Sequence, residues 1–473
     1  MHTLVIAEKP SVARDLARVL GCREKGEAWY QGGEWRVSWA LGHLVSLCEP
    51  EEIDEKWKRW RAEDLPILPE TLPLKVLPKT KKQYNVLKKL MADKECAGIV
   101  CATDAGREGE LIFRNIYQMA ACKKPVRRLW ISSMTDESIR DGFAAMKPMA
   151  DYDALYRSAR CRSEADWLVG MNASRAFTLR YGVLLSIGRV QTPTLALLVR
   201  RRREIEAFTP KDYWTLTASF GDYEGQWLNE QTKEKKLTDG AQAEAIAAKV
   251  KGKPARVERI LRETKRELSP RLYDLTSLQR DANRLLGFTA KKTLDVAQKL
   301  YEERKLLTYP RTDSRCLTPD MTGKTKQAIE RLPEKYGALK APLLSKPLPV
   351  SKRVFDASKV SDHHALITTG RPFDPEKLPP DERNLLDLVI RRMLAVFYPE
   401  FIYDRTQVWT RCEGELFESV GREIRQKGWR ETLAGLRDKA EEKAEKEEPP
   451  LPPLSEGDAR KCEKTRVKAD KTK

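Results

Sequence analysis

A segment at residues 307–314, LTYPRTDS, places the phenol of Tyr309 two residues before the guanidinium of Arg311. Pro310 fixes its own backbone angle and favours an extended conformation at Tyr309, so both side chains project from a constrained turn. A free phenol has a pKa of about 10, and a fixed cation nearby favours the phenolate or the charged phosphate that it attacks. The segment therefore predicts a nucleophilic tyrosine. The alternative is a half-buried tyrosine beside a surface arginine.

Acidic residues follow two apolar stretches, each typical of a buried strand that leads into a helix. Residues 2–7, HTLVIA, run into Glu8, and residues 98–102, GIVCA, run into Asp104 and Glu108. If the two strands are neighbours in one sheet, the three carboxylates converge at the edge where α/β sheets place their chemistry. Oxygen ligands gathered in this way suit Mg²⁺. The alternative is that the acids cap the two helices.

Basic and aromatic residues further along the chain suit phosphate and base contacts. Arg162 and Asp166 lie four residues apart in a helical pattern and share one face. They form either a surface ion pair or, as we favour, a phosphate contact by Arg162 that Asp166 orients. Arg189 follows Gly188 in a predicted turn where backbone amides and a guanidinium both reach phosphate oxygens. Trp60 precedes a proline-rich loop, where it either stacks a base or packs the loop.

The composition favours a polyanionic partner. The 473 residues carry a formal net charge of +18 and a pI of about 9.4, although a ribosome-associated or membrane-surface protein has a similar charge. No apolar run approaches the ~18 residues of a membrane span, and Met1 leads directly into a predicted strand, so we expect a cytoplasmic protein without a signal peptide. The nine cysteines form no Cys-x2-Cys pair, and the GKT at residues 323–325 lacks the first glycine of a phosphate loop. Neither a zinc ribbon nor an ATP site is predicted.

The pattern of the chain predicts five segments. Short strands alternate with helices near the start, and a half-exposed strand pattern occurs twice, on either side of a long helical stretch. The segments are an α/β domain, 1–150; a mainly helical domain, 151–212; a discontinuous β-rich domain, 213–275 and 405–437; a helical insert that carries Tyr309, 276–404; and a charged, disordered tail, 438–473.

Several motifs, in the family's own order, resemble those of the type IA DNA topoisomerases, most closely the bacterial topoisomerase III branch, and the resemblance extends to about residue 430. The resembling segments are Glu8-Lys9 and 104–108, DAGRE, for the Toprim metal motifs; 41–44, LGHL, for the Toprim Gly-His element; 162–175 and 186–193 for the single-strand binding segments; 309–314 for the nucleophile; and 363–367, HHALI, for the His element behind it.

Roles for individual residues follow from this resemblance. The implied catalytic residues are Tyr309, Arg311, Glu8, Lys9 and His363, and the implied metal ligands are Glu8, Asp104 and Glu108. The implied DNA contacts are Ser186, Ile187, Gly188, Arg189, Val190, Gln191, Arg162, Asp166, Trp167, Arg175, Trp60 and Arg311. Glu8 serves either as a metal ligand or as the general acid toward the leaving oxygen, and His363 hydrogen-bonds either substrate or a carboxylate.

The resemblance also implies an architecture and a reaction. A Toprim α/β domain is followed by mainly helical domains and a discontinuous β-rich domain, together forming a multidomain toroid. Tyr309 attacks a phosphodiester of single-stranded DNA, retains the 5′ phosphate and frees a 3′ hydroxyl; a second strand then passes and the break is resealed without ATP. The implied cofactor is Mg²⁺, and the implied substrates are single-stranded DNA and negatively supercoiled or catenated duplexes.

Two features depart from the family pattern. Gly106 stands where many members carry another acid, so we expect the metal to rest on Glu8 and Asp104 more than on Glu108. The Gly-x-Gly-Thr-Pro-Ala-Thr segment of the DNA-gate base does not occur, so we expect a shortened, incomplete form. The alternatives are a single-stranded DNA-binding module that cleaves weakly or not at all, and a Toprim nuclease or primase, for which the 309–311 and 186–191 elements are unnecessary.

Overall fold

The computed structural model describes residues 1–131, 134, 136–360, 363–436 and 448–473, which form two units. The first unit consists of Met1–Glu204, Arg311–Met321 and Phe355–Ala365, and the second of Ile205–Pro310, Thr322–Val354 and Leu366–Lys473.

The first unit is built on a mixed sheet with the order β2-β3-β4-β1-β7-β8-β9, parallel at its centre and antiparallel toward both edges, and a small additional β5-β6 pair. Its strands are β1 His2–Ala7, β2 Glu24–Lys25, β3 Trp29–Gly32, β4 Trp35–Trp39, β5 Val45–Leu47, β6 Leu74–Val76, β7 Cys96–Ala102, β8 Val126–Arg128 and β9 Lys147–Pro148. The central strand β1 pairs in parallel with β4 and β7. Its apolar run is continuous because both of its faces are buried.

Helices cover both faces of this sheet. The helices of the first unit are α1 Pro10–Val19, α2 Pro50–Ile53, α3 Lys81–Ala92, α4 Arg107–Met119, α5 Asp136–Ala144, α6 Asp153–Tyr181 and α7 Gln191–Ala207, the last of which runs into the second unit. Leu16 of α1 and Ile139 of α5 pack with Val5 on one face, and Phe113 of α4 packs with Ile6 on the other. Pro10 occupies the first position of α1, where its missing N–H would be unpaired in any case.

The second unit contains an antiparallel sheet with the order β15-β12-β13-β14-β11-β10-β16. Its strands are β10 Asp212–Ser219, β11 Glu224–Leu228, β12 Pro254–Glu267, β13 Phe401–Cys412, β14 Glu415–Gln426, β15 Ala459–Lys461 and β16 Lys464–Lys471. Leu216, Phe220, Val408 and Phe417 form the core of the sheet, and Ile246 of the covering helix packs against them. Long stretches of chain thus separate strands that are neighbours in the sheet.

Among the described residues, five α-helices lie between β12 and β13. The helices of the second unit are α8 Gly240–Val250, α9 Leu275–Leu286, α10 Ala290–Glu302, α11 Met321–Glu330, α12 Gly337–Leu344 and α13 Pro380–Ala395. Helix α9 begins with a capping box in which Asp274 and Ser277 satisfy each other's backbone amides, and it ends at Gly287 in the left-handed conformation. Tyr309 lies in the segment between α10 and α11.

The prediction that residues 438–473 form a disordered tail is wrong for the strands β15 and β16, whereas residues 438–447 lie outside the described part of the chain. β16 pairs with the whole of β10, from Asp212 opposite Lys471 to Ser219 opposite Lys464. The charged composition was misleading because an edge strand needs only one apolar face, here Val467 packed against the core, and gains its other stabilisation from backbone hydrogen bonds.

Two helices expose unusually large apolar side chains. In α6, Val169 and Phe177 are exposed, and no residue of α7 is buried, so Leu195 and Leu198 both face solvent. Soluble proteins seldom leave such side chains clustered at the surface. Among the helices of the described residues, none combines the length and the apolar character needed to cross a membrane.

Candidate active site

The parallel pairing of β1 and β7 brings Glu8 and Asp104 together at the carboxyl edge of the first sheet. Ala7 and Ala102 are register partners, so the residues that follow each strand emerge side by side. The backbone N–H of Asp104 donates to Glu8 Oε2 at 3.2 Å. Glu8 is buried, which separates its carboxylate from bulk water. The expected convergence therefore holds for these two acids.

Two further side chains contact Asp104. Lys9 Nζ lies 2.8 Å from Asp104 Oδ2 and 3.4 Å from Glu8 Oε1, so one ammonium group contacts both carboxylates. His363 Nε2 lies 3.4 Å from Asp104 Oδ2, and Thr312 Oγ1 donates to the backbone carbonyl of His363 at 2.8 Å. Of the two alternatives for His363, the structure contains the contact with a carboxylate. All of these residues belong to the first unit.

The two carboxyl groups have opposite electrostatic environments. Burial raises the pKa of Glu8, and the negative charge of Asp104 raises it further, against the opposing effect of Lys9. Burial also acts to raise the pKa of Asp104, but the hydrogen bond with His363 and the charge of Lys9 outweigh it and hold that pKa below its ordinary value. The cluster thus contains one carboxyl group that readily holds a proton beside one that resists protonation.

Glu108 does not join this pair. Its side chain is largely exposed, and its Oε1 lies 2.5 Å from Nε2 of His43. Among the described residues, no group of three or more His, Cys, Asp or Glu side chains is arranged to hold a metal ion. Glu108 therefore does not form a three-acid group with Glu8 and Asp104 in this structure, and its role as a metal ligand stays a prediction. The carboxylates of Glu8 and Asp104 nevertheless provide the oxygen donors that suit a hard divalent cation whose remaining ligands are water.

The close approach of α4 to the acidic turn depends on Gly109. A Cβ at this position would lie 2.2 Å from the backbone oxygen of Asp104. Thr103 Oγ1 donates to the carbonyl of Gly109 at 2.7 Å and fastens the same turn. Gly106 is different, because its φ of −167° is extended backbone that any residue adopts.

The nucleophile segment is divided between the two units. Tyr309 belongs to the second unit, where it is half-buried and its ring meets that of Tyr301 edge to face, with centroids 5.3 Å apart. Thr308 N donates to the carbonyl of Ile367 at 3.0 Å and fixes the adjacent backbone. Arg311 is exposed and belongs to the first unit, so the chain passes from one unit to the other between Pro310 and Arg311.

Residues 186–191 form a turn held by side-chain hydrogen bonds. Gln191 Nε2 donates to Ser186 Oγ at 2.8 Å, and the N–H of Ile187 donates to Ser174 Oγ of α6 at 2.9 Å. Thr192 Oγ1 accepts from the N–H of Gly188 at 3.0 Å, and Val190 is exposed. The turn therefore presents an ordered surface at the start of α7.

The predicted pairing of Asp166 with Arg162 is replaced by a different one. Arg189 donates through Nε and Nη2 to the two carboxylate oxygens of Asp166, at 2.7 and 3.0 Å. Arg162 is exposed on the same helix. The bidentate geometry favours Arg189, because its guanidinium presents two parallel donors to the carboxylate. Asp166 thus orients Arg189 rather than Arg162.

Three other residues predicted to contact DNA mainly support the protein itself. Arg175 is buried, its Nη1 donates to the carbonyl of Trp57, and its guanidinium lies over the ring of Trp60 with 5.0 Å to the centroid. Trp167 Nε1 donates to the carbonyl of Cys48 at 2.9 Å. Arg175 is thus covered by protein and occupies one face of Trp60, and the direct DNA contacts of these three residues stay predictions.

Sequence reasoning missed two buried charged residues behind the acidic turn, Arg128 and Glu110, both with no exposed side-chain surface. The spacing of Glu110 and Arg114, four residues apart with the acid first, is a readable ion-pair signal on a helix. No sequence signal marks Arg128, because its burial depends on the pairing of β7 with β8.

Comparison with known proteins places the chain in a family. The Toprim domain model matches residues 3–134 and the DNA topoisomerase model matches residues 150–473. The chain therefore belongs to the type IA DNA topoisomerases, whose Toprim domain binds metal, and the expected fold class is confirmed.

Individual relatives agree with this assignment. DNA topoisomerase 3 of Bacillus licheniformis is 44% identical over 457 residues, and that of Bacillus subtilis is 44% identical over 460 residues. Each alignment covers 96% of this chain but 63% of the relative, so the chain spans less than two thirds of their length. Full-length topoisomerase I of Thermotoga maritima has a similar fold, with a TM-score of 0.68 and 24% identity over 99% of this chain and 72% of that one.

Proposed function

We propose that this chain breaks and rejoins one DNA strand through a covalent bond between Tyr309 and the 5′ phosphate. The observation that carries the proposal is the cluster in which Lys9 contacts both Glu8 and Asp104 at the carboxyl edge of a Toprim sheet. Family membership supports the reaction type, and the phenol of Tyr309 two residues before Arg311 supports the choice of nucleophile.

The proposed reaction forms one ester bond for each one that it breaks and needs no nucleotide. Tyr309 Oη attacks the phosphorus, its proton passes to solvent or a nearby base, and the bond from phosphorus to the 3′ oxygen breaks. The leaving oxygen takes a proton from Glu8, whose raised pKa supports this role. Lys9 and Arg311 stabilise the negative charge on the phosphoryl oxygens. Because the phosphotyrosine ester retains the bond energy, the 3′ hydroxyl reverses the reaction without ATP.

The proposed cofactor is Mg²⁺, held by Asp104 together with Glu8 when that residue is ionised. The lowered pKa of Asp104 supports its role as the anionic ligand. Such an ion supplies positive charge near the DNA phosphate. The side chain of Glu108 contacts His43 rather than either of these two proposed ligands.

The proposed substrates are single-stranded DNA and negatively supercoiled or catenated duplexes, and the proposed location is the cytoplasm. The net charge of +18 supports a polyanionic partner. Two features support a site for the single strand. One is the ordered turn at residues 186–191, which includes Arg189, and the other is the exposed Arg162 of α6.

The decisive experiment is a cleavage assay with end-labelled single-stranded DNA, Mg²⁺ and a detergent quench. We expect a labelled protein adduct that is absent in Tyr309→Phe and retained in Tyr398→Phe, a tyrosine that donates to the carbonyl of Leu339 within the second unit. An adduct in Tyr309→Phe contradicts the assignment of the nucleophile. DNA binding without an adduct in the unaltered chain favours a noncatalytic DNA-binding module.

A further inference from the structure

A fully buried arginine fixes the backbone of the acidic turn. Arg128, the last residue of β8, donates from Nη2 to the carbonyl of Asp104 at 2.7 Å. Its Nη1 donates to the carbonyls of Thr103 at 2.8 Å, Leu129 at 2.7 Å and Cys101 at 3.2 Å. One guanidinium therefore contacts the carboxyl end of β7 and the turn that carries Asp104.

Charged contacts continue from Arg128 to the beginning of α6. Glu110 is fully buried; its Oε2 accepts from Arg128 Nε at 3.0 Å and its Oε1 from Arg114 Nε at 2.8 Å. Arg114 in turn donates to Asp153 Oδ1 at 2.8 Å and to the carbonyl of Met149 at 2.7 Å. Asp153 is the first residue of α6, so two acids and two arginines alternate between the acidic turn and this helix.

Aromatic rings follow a parallel route between the same two places. The Arg128 guanidinium lies over the ring of Trp130, with 5.1 Å to the centroid. The Trp130 ring stacks on Tyr152, with centroids 5.1 Å apart, and Tyr152 caps the start of α6. Polar and aromatic contacts thus both join Arg128 to the base of the helix.

We propose that Arg128, Glu110, Arg114 and Asp153 form a positioning network that fixes Asp104 relative to α6, the helix that carries Arg162 and Asp166. The inference rests on the proposed function, since it concerns how the reaction site is aligned with the proposed DNA-binding helix. Buried ion pairs add little net stability because desolvation offsets their attraction, so a network of this kind is better explained by the geometry that it fixes. The planar guanidinium suits that task, because its donors leave in fixed directions.

Movement of the turn would affect several contacts together. The backbone N–H of Asp104 donates to Glu8, and its side chain contacts both Lys9 and His363. A shift of the Asp104 backbone therefore displaces a proposed metal ligand from the proposed acid and from the side chains of Lys9 and His363. We expect slower cleavage with little change in DNA affinity, because no residue of the network is a proposed DNA contact.

The test compares Arg128→Lys and Asp153→Asn with the control Arg36→Lys. Arg36 lies on β4 of the same sheet and donates to Gln31 and Asp93, away from the acidic turn. Three quantities are measured on the full chain: the single-turnover rate of adduct formation at saturating DNA, the Kd for labelled single-stranded DNA without Mg²⁺, and amide exchange in the peptide 103–110.

For Arg128→Lys we expect a decrease in adduct rate on the order of 100-fold, the effect of a misplacement of about 1 Å. The Kd should stay within about twofold of the value for the unaltered chain, because the substitution moves the reaction site and removes no proposed DNA contact. Exchange in 103–110 should be faster than in the control. Asp153→Asn, which removes one partly exposed carboxylate, should change the same quantities in the same direction by a smaller factor.

The following results would contradict the proposed network. Equal losses of rate in Arg128→Lys and Arg36→Lys overturn the proposal. So does a loss of rate in Arg128→Lys that is fully explained by a smaller fraction of folded protein. If Arg128→Lys does not fold, Asp153→Asn decides, and an unchanged rate and exchange pattern in that variant overturn it. If the unaltered chain forms no adduct, the proposed function fails, while the exchange comparison still decides whether the network positions the turn.

Discussion

The Lys9 ammonium lies 2.8 Å from Oδ2 of Asp104 and thereby neutralises one of two adjacent carboxylates. Replacing it by methionine keeps most of the side-chain volume but removes the positive charge. We expect adduct formation in Lys9→Met to fall by about 100-fold to 1,000-fold, because a fixed charge at the reacting phosphate is lost. Single-turnover cleavage measures the effect.

The matched control is Lys82→Met, which removes a lysine paired with Glu27 on the surface of the same unit. Its cleavage rate should equal that of the unaltered chain. A comparable loss in both variants would show that net charge, rather than the position of Lys9, sets the rate.

Glu8→Gln should stabilise the protein while abolishing cleavage. The pKa of Glu8 is raised in the folded state, so its stability contribution is complete below the unfolded pKa and is lost as pH rises through the folded pKa. At pH values above the unfolded pKa, this carboxyl group therefore lowers the stability of the folded state. We expect Glu8→Gln to raise the free energy of unfolding by about 0.5–2 kcal/mol, a common gain when a residue that serves function at the expense of stability is replaced. Urea unfolding at pH 7 and pH 4 tests this, and a larger gain at pH 4 would contradict it.

Asp104→Asn should have the opposite pH dependence. The pKa of Asp104 is lowered in the folded state, so its contribution is present above the unfolded pKa of about 4 and is lost as pH falls through the folded pKa. We expect Asp104→Asn to lower stability at pH 7 and to weaken the loss of stability below about pH 4. Unfolding curves between pH 2 and pH 7 measure this, and parallel curves for both proteins would refute it.

Gly109→Ala should damage the acidic turn, since the new Cβ would meet the Asp104 carbonyl at 2.2 Å. We expect a loss of about 1–3 kcal/mol of stability, the usual cost of overpacking, together with slower cleavage. Thermal unfolding and the adduct assay measure the two effects.

Gly323→Ala is the matched control, because Gly323 lies inside α11 and a Cβ there meets nothing within 4 Å. Alanine should stabilise that helix by about 0.5–1 kcal/mol. If both alanines destabilise the protein equally, steric contact with Asp104 is not the cause.

Arg189→Gln should weaken binding of single-stranded DNA and its dependence on salt. If the guanidinium held by Asp166 neutralises one phosphate, its loss should reduce the log–log salt slope by about 0.7. Arg201→Gln, at an exposed arginine of α7, serves as the comparison. Equal slopes for Arg189→Gln and the unaltered chain would exclude a phosphate contact by Arg189.

Local patterns in the sequence predicted the acidic edge of the first sheet well. Apolar runs that end in Glu8 and Asp104 specify strand, turn and helix within a few residues, and the pairing of β1 with β7 then brings the acids together. The contact between Glu108 and His43 was not predicted, because the two residues are distant in sequence. The limits of the predicted domains, including those of the helical insert, stay a prediction.

Long-range contacts explain the other differences. The rule for residues four apart favoured Arg162 as the partner of Asp166, but a turn brought Arg189 into a better bidentate geometry. Composition likewise suggested disorder after residue 438, although β16 finds its partner in β10, more than 240 residues earlier in the chain. Neither pairing leaves a local signal in the sequence.

Helix α7 has a consequence for how the chain withstands proteases. It buries none of its residues, so it lacks the packing of an apolar face that supplies most of the stability of helices in proteins. The four consecutive arginines at 200–203 lie within this helix. Trypsin should therefore cut the native chain first at these arginines, while the arginines buried behind the acidic turn remain protected.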